Sequence, residues 1–449
     1  MPMEPLNAEK LVTRKWPLHQ LDVQNAFLHG DLEEDVFMHQ PTGFVNPDYP
    51  HFICKLRKSL YGLKQAPRAW FAKLSSRLLD LGFHASASDS SLFILSHSSD
   101  SIYVLVYVDD IVVTASTTSL ITDFILALRQ SFPVKDLGVL HYFLGIQVSR
   151  NSSGLFLSQH RYIANLLSRT NMHQSKTVST PMASSTRLTA VDGPSFEDPQ
   201  LYRSVVGSLQ YLSFTRPDIS FAVNRVCQFM HCPRLIHWQA VKRILRYLRL
   251  TSTFGLHLSP ISSFKITAFS DADWAGCPDD RKSTGGFCIF FGSHLISWGS
   301  KKQPTVARSS TEAEYKSVAN TACEILWLQS LLTELGIVIS DIPTLFCDNL
   351  GATYLSVNPV MHSRIKHVDL DYHFVRDRVA AKTLAVKFLQ SKDQLADILT
   401  KPLSSSRFSL LRSSLTILDV PLASRGDIGA TECAAPSHSS AQQLAQPNA

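Results

Sequence analysis

Two adjacent carboxylates, Asp109 and Asp110, interrupt an otherwise continuous apolar run, SIYVLVYVDDIVVTA. If both acids lie at the tip of a hairpin, the two strands beside them stay apolar throughout. Adjacent carboxylates repel each other, and beside a buried sheet they are destabilising unless a cation neutralises them. The pair therefore predicts either a divalent-metal site or a simple turn, because Asp is also common in turns.

A third acid, Asp22, lies inside another apolar strand pattern, QLDV, where a single carboxylate would again be unpaired. Three acids on neighbouring strands could hold two magnesium ions for in-line phosphoryl transfer. We therefore expect Asp22 to lie beside Asp109 and Asp110.

A second set of acids occurs later in the chain. Asp271 and Asp348 each end an apolar strand pattern, and Glu314 lies on the apolar stripe of a long helical pattern. Asp397, in QLADILTK, would complete a cluster of four carboxylates.

The helical pattern leaves an alternative role for Glu314. Thr311 and Glu314 have the spacing of a capping box, so the carboxylate of Glu314 could simply cap the helix. Glu312 lies about half a turn away, from an advance of ~100° per residue, and is the better candidate for a solvated acid.

Composition narrows the class of protein. A chain of 449 residues, at about 150 residues per domain, predicts two or three domains. With 45% hydrophobic and 18% charged residues, global disorder is excluded. No run approaches the ~18 to 20 apolar residues of a membrane span.

The N-terminus, MPMEPLNAEK, lacks a secretory signal pattern, and the eight cysteines form no CxxC pair. We therefore expect a reducing compartment and no structural zinc.

The net charge of +6 is unevenly distributed. Residues 201–260 contain eight Lys or Arg and one acid, and Lys242, Arg246 and Arg249 recur there at helical spacing. Such a basic amphipathic helix suits a phosphate backbone. A solvated face of a packed helix is the plainer alternative, and a membrane-surface or calmodulin-type helix is a third.

Periodicity predicts an α/β (α+β) protein. In the first part we expect a strand over 18–23, a helix over 65–81, a hairpin of strands 101–108 and 111–115, and a helix over 120–132. From about 264 to 402 the order is three strands, a long helix, a strand, two helices, a strand and a short helix, which predicts a mixed sheet covered by helices. Residues 171–200 are expected to be a linker, and 403–449 a mostly disordered tail.

Several motifs together resemble a known family. They are QLDVQNAFLHGDL, SLYGLKQAPRAWF, YVDD, and LGIQV followed by LSQHRYIANLL. In this order and spacing they resemble the reverse transcriptase of copia-type long-terminal-repeat retrotransposons. The resemblance continues through YRSVVGSLQYLSFTRPDISFAV and HWQAVKRILRYL to a ribonuclease H region, roughly residues 16–402. It implies a palm over 1–170, a thumb or connection over 201–260, and a ribonuclease H-like sheet with helices on both faces over 262–402.

The resemblance implies roles in the palm. Asp22 and Asp109 would be the metal-binding catalytic acids, with Asp110 supporting them. Phe27 would be the bulky residue that excludes ribonucleotides, and Gln65 would contact the template or the incoming nucleotide. From the residues alone, Phe27 is an ordinary core residue and Gln65 a helix cap or surface residue.

Lys64 and Arg68 flank Gln65 in the sequence. They either add phosphate contacts or form a solvated pair.

DADWAG, SSTEAEY, CDN and ADILTK resemble the four acidic motifs of the family's ribonuclease H. By that resemblance Asp271, Glu314, Asp348 and Asp397 bind two magnesium (or manganese) ions that activate water and stabilise the leaving oxygen. Asp273 would then be a neighbour and not a ligand.

Two histidines, His367 and His373, lie six residues apart on a predicted helix. They are poorly placed to share one metal, and we expect core or substrate-contact roles for them.

The resemblance also implies partners and a location. Substrates would be an RNA template, a DNA primer, RNA/DNA hybrid and deoxynucleoside triphosphates, with two metal ions in each centre. A second copy of the chain or other Pol or Gag products would be protein partners. The expected location is intracellular, in a cytoplasmic virus-like particle or the nucleus, with no membrane and no secretion.

In the family, a fingers region with a basic strand precedes the QLDV strand, whereas about fifteen residues precede it here. The sequence is therefore expected to be an N-terminally truncated Pol. Three hypotheses follow: a reverse transcriptase with ribonuclease H, a polymerase-inactive remnant that still binds nucleic acid, and a ribonuclease H alone.

Overall fold

A computed structural model describes residues 15–97, 100–260, 263–339, 341–358 and 369–419. Over these residues the protein is a mixture of helices and several β-sheets, as the α/β pattern predicts. In the described part of the chain, no helix combines the length and the apolar character that crossing a bilayer requires.

The first region alternates strands and helices. Its strands are β1 (Leu18–Val23), β2 (Asp31–His39), β3 (Ile53–Lys58), β4 (His84–Ala85), β5 (Leu92–His97), β6 (Asp100–Tyr107), β7 (Asp110–Ala115), β8 (Val134–Val139), β9 (Tyr142–Phe143), β10 (Ile146–Asn151) and β11 (Gly154–Ser158). Its helices are α1 (Ala66–Asp80), α2 (Thr118–Arg129) and α3 (His160–Arg169). The predicted strand, helices and hairpin are present with ends that differ by up to three residues.

A central sheet positions the first acids. Within the described ranges it has six strands, in the order β4-β5-β6-β7-β1-β8. β1 lies between β7 and β8 and is antiparallel to both. The register places Asp22 opposite Asp110, so the acids of two distant motifs meet at one end of the sheet.

The second region is helical. It contains α4 (Pro199–Leu212), α5 (Ser220–Cys227), α6 (Leu235–Leu250) and the strand β12 (Phe254–Leu258). The amphipathic pattern of α6 is confirmed, because Val241, Ile244, Leu245 and Leu248 are fully buried.

The third region begins with three antiparallel strands. It contains β13 (Ile266–Ala272), β14 (Thr284–Phe291), β15 (His294–Lys302), α7 (Ser310–Glu334), β16 (Thr344–Cys347), α8 (Leu350–Val357), α9 (Asp369–Ala380) and β17 (Ala385–Phe388). Among the described strands, the order is β15-β14-β13-β16-β17, with β16 and β17 parallel to β13. This is the mixed sheet that the ribonuclease H-like pattern predicts.

Part of the expected tail is ordered. Residues 403–419 include α10 (Ser405–Ser414) and β18 (Ile417–Asp419). Phe408, Leu411 and Leu415 follow helical spacing and are buried, so this first part of the tail packs against the core. β18 pairs with β12 in a sheet that has the order β18-β12-β11-β10-β9 over the described strands. Residues 420–449 lie outside the described residues.

The expected linker is also packed. Residues 171–198 contain no regular helix or strand, but Met182 and Leu188 are buried in the same core as α3 to α6. Arg243 on α6 donates a hydrogen bond to Thr180 Oγ1 at 2.8 Å. Residues 171–198 have the composition of a linker but are held against α6; this segment is called the strap.

The first and third regions are in direct contact. Tyr103 on β6 packs in the core of the third region and donates a hydrogen bond to Leu335 O at 2.9 Å. Glu334, at the end of α7, accepts hydrogen bonds from the backbone N–H groups of Ala87 and Ser88. These contacts hold the first sheet against the long helix of the last sheet.

A fully buried ion pair joins the helices of the second region. Arg216 and Asp218 have no exposed side-chain surface, and Arg216 Nη2 lies 2.7 Å from Asp218 Oδ2. Arg216 Nη1 also donates to the carbonyl of Thr251, and the hydroxyl of Tyr247 donates to Asp218. Each charge thus has several partners, which offsets the cost of its removal from water.

Replacing Asp218 with Asn leaves the guanidinium of Arg216 buried without its counter-charge. We expect Asp218→Asn to lower the free energy of unfolding by about 3–5 kcal/mol, measured by chemical denaturation. The matched control is Asp192→Asn, an exposed position where about 0.5 kcal/mol or less is expected. Equal stabilities for the two variants would contradict the role given to the pair.

Candidate active sites

The first candidate centre lies at the tip of the β6–β7 hairpin, as predicted. Asp110 is the first residue of β7, and Val108 and Asp109 form the turn. Val108 has a φ of 59°, a left-handed conformation that is costly for a β-branched residue. The indole N–H of buried Trp70, on α1, donates a hydrogen bond to the carbonyl of Val108 at 2.6 Å. This contact fixes the strained turn, and sequence reasoning missed it because it joins residues 38 positions apart.

The structure brings the three predicted acids together. Asp22 is paired with Asp110 across β1 and β7, and the N–H of Val23 donates to the carbonyl of Asp109 at 3.0 Å. Burial raises the pKa of Asp110, a hydrogen bond from Gln20 lowers it, and the nearby Asp109 and Asp22 carboxylates raise it. The first centre is therefore a site where a cation would relieve electrostatic repulsion.

Phe27 follows β1 on a short 3₁₀ helix (Ala26–His29) and is half-buried. Its ring lies 4.8 Å from the ring of Tyr61, which is 56% exposed. Burial raises the pKa of Tyr61, and so do the charges of Asp109 and Asp22. Tyr61 therefore lies beside the carboxylates, in the SLYGLKQAP motif, although sequence reasoning singled out Gln65 there.

Gln65 lies at the N-terminus of α1 and makes no side-chain cap. Its side-chain amide is instead 3.4 Å from the carboxylate of Glu34 on β2. Lys64, just before α1, and Arg68, in its first turn, are exposed. Their predicted nucleic-acid contacts stay predictions.

The second candidate centre lies on the third sheet. Asp271 is the next-to-last residue of β13, and Asp348 directly follows β16. Asp397 lies on a 3₁₀ helix (Leu395–Leu399). Glu314 projects from the first part of α7. Asp271, Glu314 and Asp397 are buried, so four distant motifs supply carboxylates to one site.

Two packing features bring the 3₁₀ helix to the sheet. A Cβ at Gly286 on β14 would lie 2.7 Å from the side chain of Thr400 and 2.9 Å from Leu399, so only Gly fits there. The amide of Gln394 donates to the carbonyl of Ser270 at 2.9 Å.

The spacing of this second cluster suits a metal ion. Asp271, Asp348 and Asp397 each offer a carboxylate oxygen, and these atoms lie within 4.8 Å of one another. Glu314, Cys347 and Asp348 form an adjoining group with the same spacing. Among the described residues, the groups of three that meet this spacing both lie in the second centre. Oxygen donors of this kind are those that magnesium and manganese prefer.

Lys401 occupies the mouth of the second centre and was not predicted. Its Nζ lies 2.8 Å from Asp397 and 3.1 Å from Asp271. Thr400 donates a short hydrogen bond to Asp271, and Arg407 lies 3.4 Å from Asp397. The ammonium group of Lys401 therefore offsets part of the negative charge of these two carboxylates.

Burial raises the pKa of Glu314 to about 9, with a further contribution from the charges of Asp271 and Asp348. The pKa of Asp271 is also raised, mainly by burial, while Lys401 opposes the shift. Carboxylates with raised pKa values in one cluster are typical of functional sites.

Two details of the sequence analysis were wrong. The cap of α7 is Ser309, which accepts a hydrogen bond from the N–H of Glu312, so the capping pair starts two residues earlier than Thr311 and Glu314. Glu312 is 4% exposed and pairs with Lys316 at 2.7 Å, so it is not a solvated acid. The error arises because residues 312–315 are all buried, and α7 has no solvent face there.

Asp273 and His373 belong to neither of the groups of closely spaced ligand atoms. Asp273 accepts a hydrogen bond from the N–H of Thr284, and burial raises its pKa to about 6. His373 is 47% exposed and lies 3.3 Å from Asp369 on its own helix. His367 lies outside the described residues.

Part of the basic face of α6 contacts another segment of the protein. Arg246 and Arg249 donate hydrogen bonds to the carbonyls of Lys176 and Ser175, in the strap. Lys242 is half-buried and makes no side-chain contact of this kind within the described ranges. Two of the three predicted phosphate-binding residues therefore also hold the strap.

Comparisons with known proteins agree with the motifs. Residues 7–184 match the family described as reverse transcriptase (RNA-dependent DNA polymerase). The retrovirus-related Pol polyprotein from transposon RE1 of Arabidopsis thaliana is 55% identical over 410 residues, which are 91% of this chain and 28% of that protein. The chain thus spans less than a third of that relative.

A shorter relative is matched over its full length. The putative transposon Ty5-1 protein of Saccharomyces cerevisiae is 34% identical over 308 residues, 68% of this chain and 100% of that protein. A solved ribonuclease H1 isolated from compost is 14% identical, with a TM-score of 0.24, and covers 30% of this chain and 93% of its own.

The contacts of Lys401 generate a prediction about stability. Lys401→Met removes the ammonium group from Asp271 and Asp397, so in the presence of a chelator we expect a loss of about 1–3 kcal/mol in thermal or chemical unfolding. Added magnesium should stabilise this variant more than the wild type, since the ion no longer competes with the ammonium group. Lys387→Met, at an exposed site on β17, is the control and should match the wild type. A Lys401→Met variant as stable as the control would refute the neutralising role.

Proposed function

The chain belongs to the family of copia-type retrotransposon Pol polyproteins, and we propose that it copies RNA into DNA at the first centre and cleaves the RNA strand of RNA/DNA hybrids at the second. Both steps are phosphoryl transfers, for which clustered carboxylates bind the metal ions. The observation that carries the proposal is the convergence of seven predicted acids on two centres.

At the first centre, Asp22, Asp109 and Asp110 would hold magnesium or manganese. When bound, the ions would supply stabilisation of charge on the transferring phosphoryl group. The protein itself positions the acids. The β1–β7 register places Asp22 opposite Asp110, and the hydrogen bond from Trp70 fixes the turn that carries Asp109. Rigid support of this kind keeps reacting groups aligned.

At the second centre, Asp271, Glu314, Asp348 and Asp397 would hold the ions that act on water and on the leaving oxygen. Asp348 belongs to both groups of closely spaced ligands, so it would contribute to either ion. Lys401 contacts Asp271 and Asp397 and would therefore compete with a metal for these carboxylates. Its ammonium group would also suit a phosphate of the substrate.

The substrates follow from the two activities. They would be an RNA template, a DNA primer, deoxynucleoside triphosphates and the hybrid that forms. Phe27 supports selection of the sugar, because its ring packs on Tyr61 beside the carboxylates. Lys64, Arg68 and Lys242 are the predicted residues whose ammonium or guanidinium groups are best placed for phosphates, since Arg246 and Arg249 also bind the strap.

One observation favours a second candidate function, ribonuclease H activity without DNA synthesis. Among the described residues, three ligand atoms within 4.8 Å of one another occur in the second centre but not in the first. The second centre is thus closer to a metal-binding arrangement in the unliganded protein. Separate assays for the two centres distinguish the candidates.

The central test uses one substitution per centre. Asp271→Asn is expected to reduce magnesium-dependent cleavage of a labelled RNA/DNA hybrid by at least about 100-fold and to leave primer extension intact. Asp109→Asn is expected to do the reverse. Asp393→Asn and Asp136→Asn change partly or fully exposed acids in the same regions and serve as controls.

The outcomes separate the hypotheses. Cleavage without extension in the wild type would support the ribonuclease H alone. Absence of both activities in a folded protein that still binds hybrid would contradict the proposed function and support a nucleic-acid-binding remnant.

Phe27 gives a separate prediction for the first centre. Phe27→Ala opens space beside Tyr61, so discrimination against ribonucleoside triphosphates should fall by about 10-fold or more, measured as the ratio of kcat/KM values. Phe71→Ala, a partly exposed aromatic residue on α1, is the control. Unchanged discrimination in Phe27→Ala would show that the ring is a packing residue only.

A further inference from the structure

A cleft of about 520 Å³ lies between the helices of the second region and the third sheet. One wall is the end of α4 with one face of α5, and the other is the segment 296–300 of β15. Its volume is within the usual range for small-molecule sites. None of the predicted catalytic residues lines it.

The chemistry of the cleft is neutral and aromatic. Its lining contains no Asp, Glu, Lys or Arg. Tyr211, Phe214 and Trp298 contribute ring surface, and Asn224 and Gln210 contribute side-chain amides. Burial raises the pKa of Cys227, which also lines the cleft, to about 12, so its thiol stays protonated and uncharged at neutral pH. Such a lining favours an uncharged, flat ligand that also makes hydrogen bonds.

The two walls are held at a fixed separation. The indole N–H of Trp298 donates to the carbonyl of Ser213 at 3.0 Å, and the amide of Asn224 donates to the carbonyl of Ser300 at 2.9 Å. These bonds cross from strand to helix at the edges of the cleft. The cleft is therefore preformed, which lowers the entropic cost of binding.

Each wall also carries unused hydrogen-bonding capacity. The hydroxyl oxygens of Ser220 and Ser300 are buried and have no hydrogen-bond partner within the described part of the chain. Buried polar groups normally have partners. A serine side chain has three staggered rotamers, so either hydroxyl can turn toward a ligand in the cleft.

A run of aromatic side chains connects the cleft with the first centre. The ring of Tyr211 lies 5.1 Å from Tyr162 and 5.6 Å from Phe214. Its hydroxyl lies against Gly145, where a Cβ would be 3.2 Å away, in the turn between β9 and β10. The pKa of Tyr211 is raised by burial and then by the hydroxyls of Tyr162, Tyr142 and Tyr107, and Tyr107 immediately precedes the turn that carries Asp109.

We propose that this cleft binds an unpaired nucleobase. Bases are the uncharged, flat, hydrogen-bonding part of a nucleic acid, and single strands are held by stacking on aromatic side chains. The rings of Tyr162, Tyr211 and Phe214 extend from the cleft, and Tyr211 lies within electrostatic range of Tyr107 beside the first centre, so a strand bound there could reach the cleft. That a strand supplies the base rests on the proposed function, whereas the affinity of the cleft for a base does not.

The test measures binding of free nucleosides to the full chain by saturation-transfer NMR, with adenosine, guanosine, cytidine and uridine as probes. Phe214→Ala removes a ring that is 36% exposed, and we expect it to weaken binding by about tenfold or more. Phe214→Tyr keeps the ring and should restore binding. Phe44→Ala, at a site that is 82% exposed in the β2–β3 hairpin, should bind as the wild type does. Equal binding by the wild type and Phe214→Ala, or no binding of any nucleoside, would overturn the proposal.

A second arm identifies the source of the base. A short single-stranded DNA with 2-aminopurine at successive positions should show fluorescence quenching at one position, and Phe214→Ala should remove that quenching. Nucleoside binding without such a position would assign the cleft to free nucleosides. The double variant Asp109→Asn, Asp271→Asn should bind nucleosides like the wild type, so this proposal can hold even if both proposed activities fail.

Discussion

Repulsion between carboxylates is the constraint on which the two candidate centres depend. In each centre, acids from distant motifs are brought together on a sheet and the elements packed against it, where burial makes their mutual repulsion costly. The first centre relieves this cost by exposure to solvent and a hydrogen bond from Gln20 to Asp110. The second centre is more buried and uses the ammonium group of Lys401. In both, the fold holds together a group of carboxylates that a divalent cation would stabilise.

The rest of the structure keeps these acids in place. The β1–β7 register and the contact of Trp70 with the turn at Val108 and Asp109 define the first centre. Close packing at Gly286 and the bond from Gln394 to Ser270 bring Asp397 to the second. Strand β18 follows the second centre in the chain and pairs with β12. It thereby joins the sheet that also contains β9, β10 and β11 of the first region. The two centres therefore belong to one continuously packed molecule.

The sequence predicted the acids well because a carboxylate inside an apolar strand has few structural explanations. Asp22, Asp109, Asp110, Asp271 and Asp348 could be selected on that ground, whereas the grouping with Glu314 and Asp397 was strengthened by the family motifs. Residues that act through tertiary contacts had no such signal. Lys401 and Tyr61 are ordinary in the sequence, and their importance appears only when distant elements pack together.

Errors arose where local composition or periodicity was overridden by packing. Glu312 was predicted to be solvated because helical periodicity assumes that one face of a helix is exposed to solvent. At residues 312–315, however, α7 is buried on all sides. The Ser-rich segment 403–419 was grouped with the tail by its composition, but a few apolar residues at helical spacing are enough to anchor α10. Arg246 and Arg249 were predicted as a free basic face and instead also bind the strap.

Counting bound manganese tests the central claim most directly, because it measures cation binding at each centre without requiring turnover. Manganese would be titrated by electron paramagnetic resonance into the wild type, Asp109→Asn and Asp271→Asn, each in complex with a hybrid. The account predicts that each substitution removes binding at its own centre and leaves the other unchanged. Manganese binding that neither substitution alters would contradict the view that these carboxylates form two metal-dependent centres.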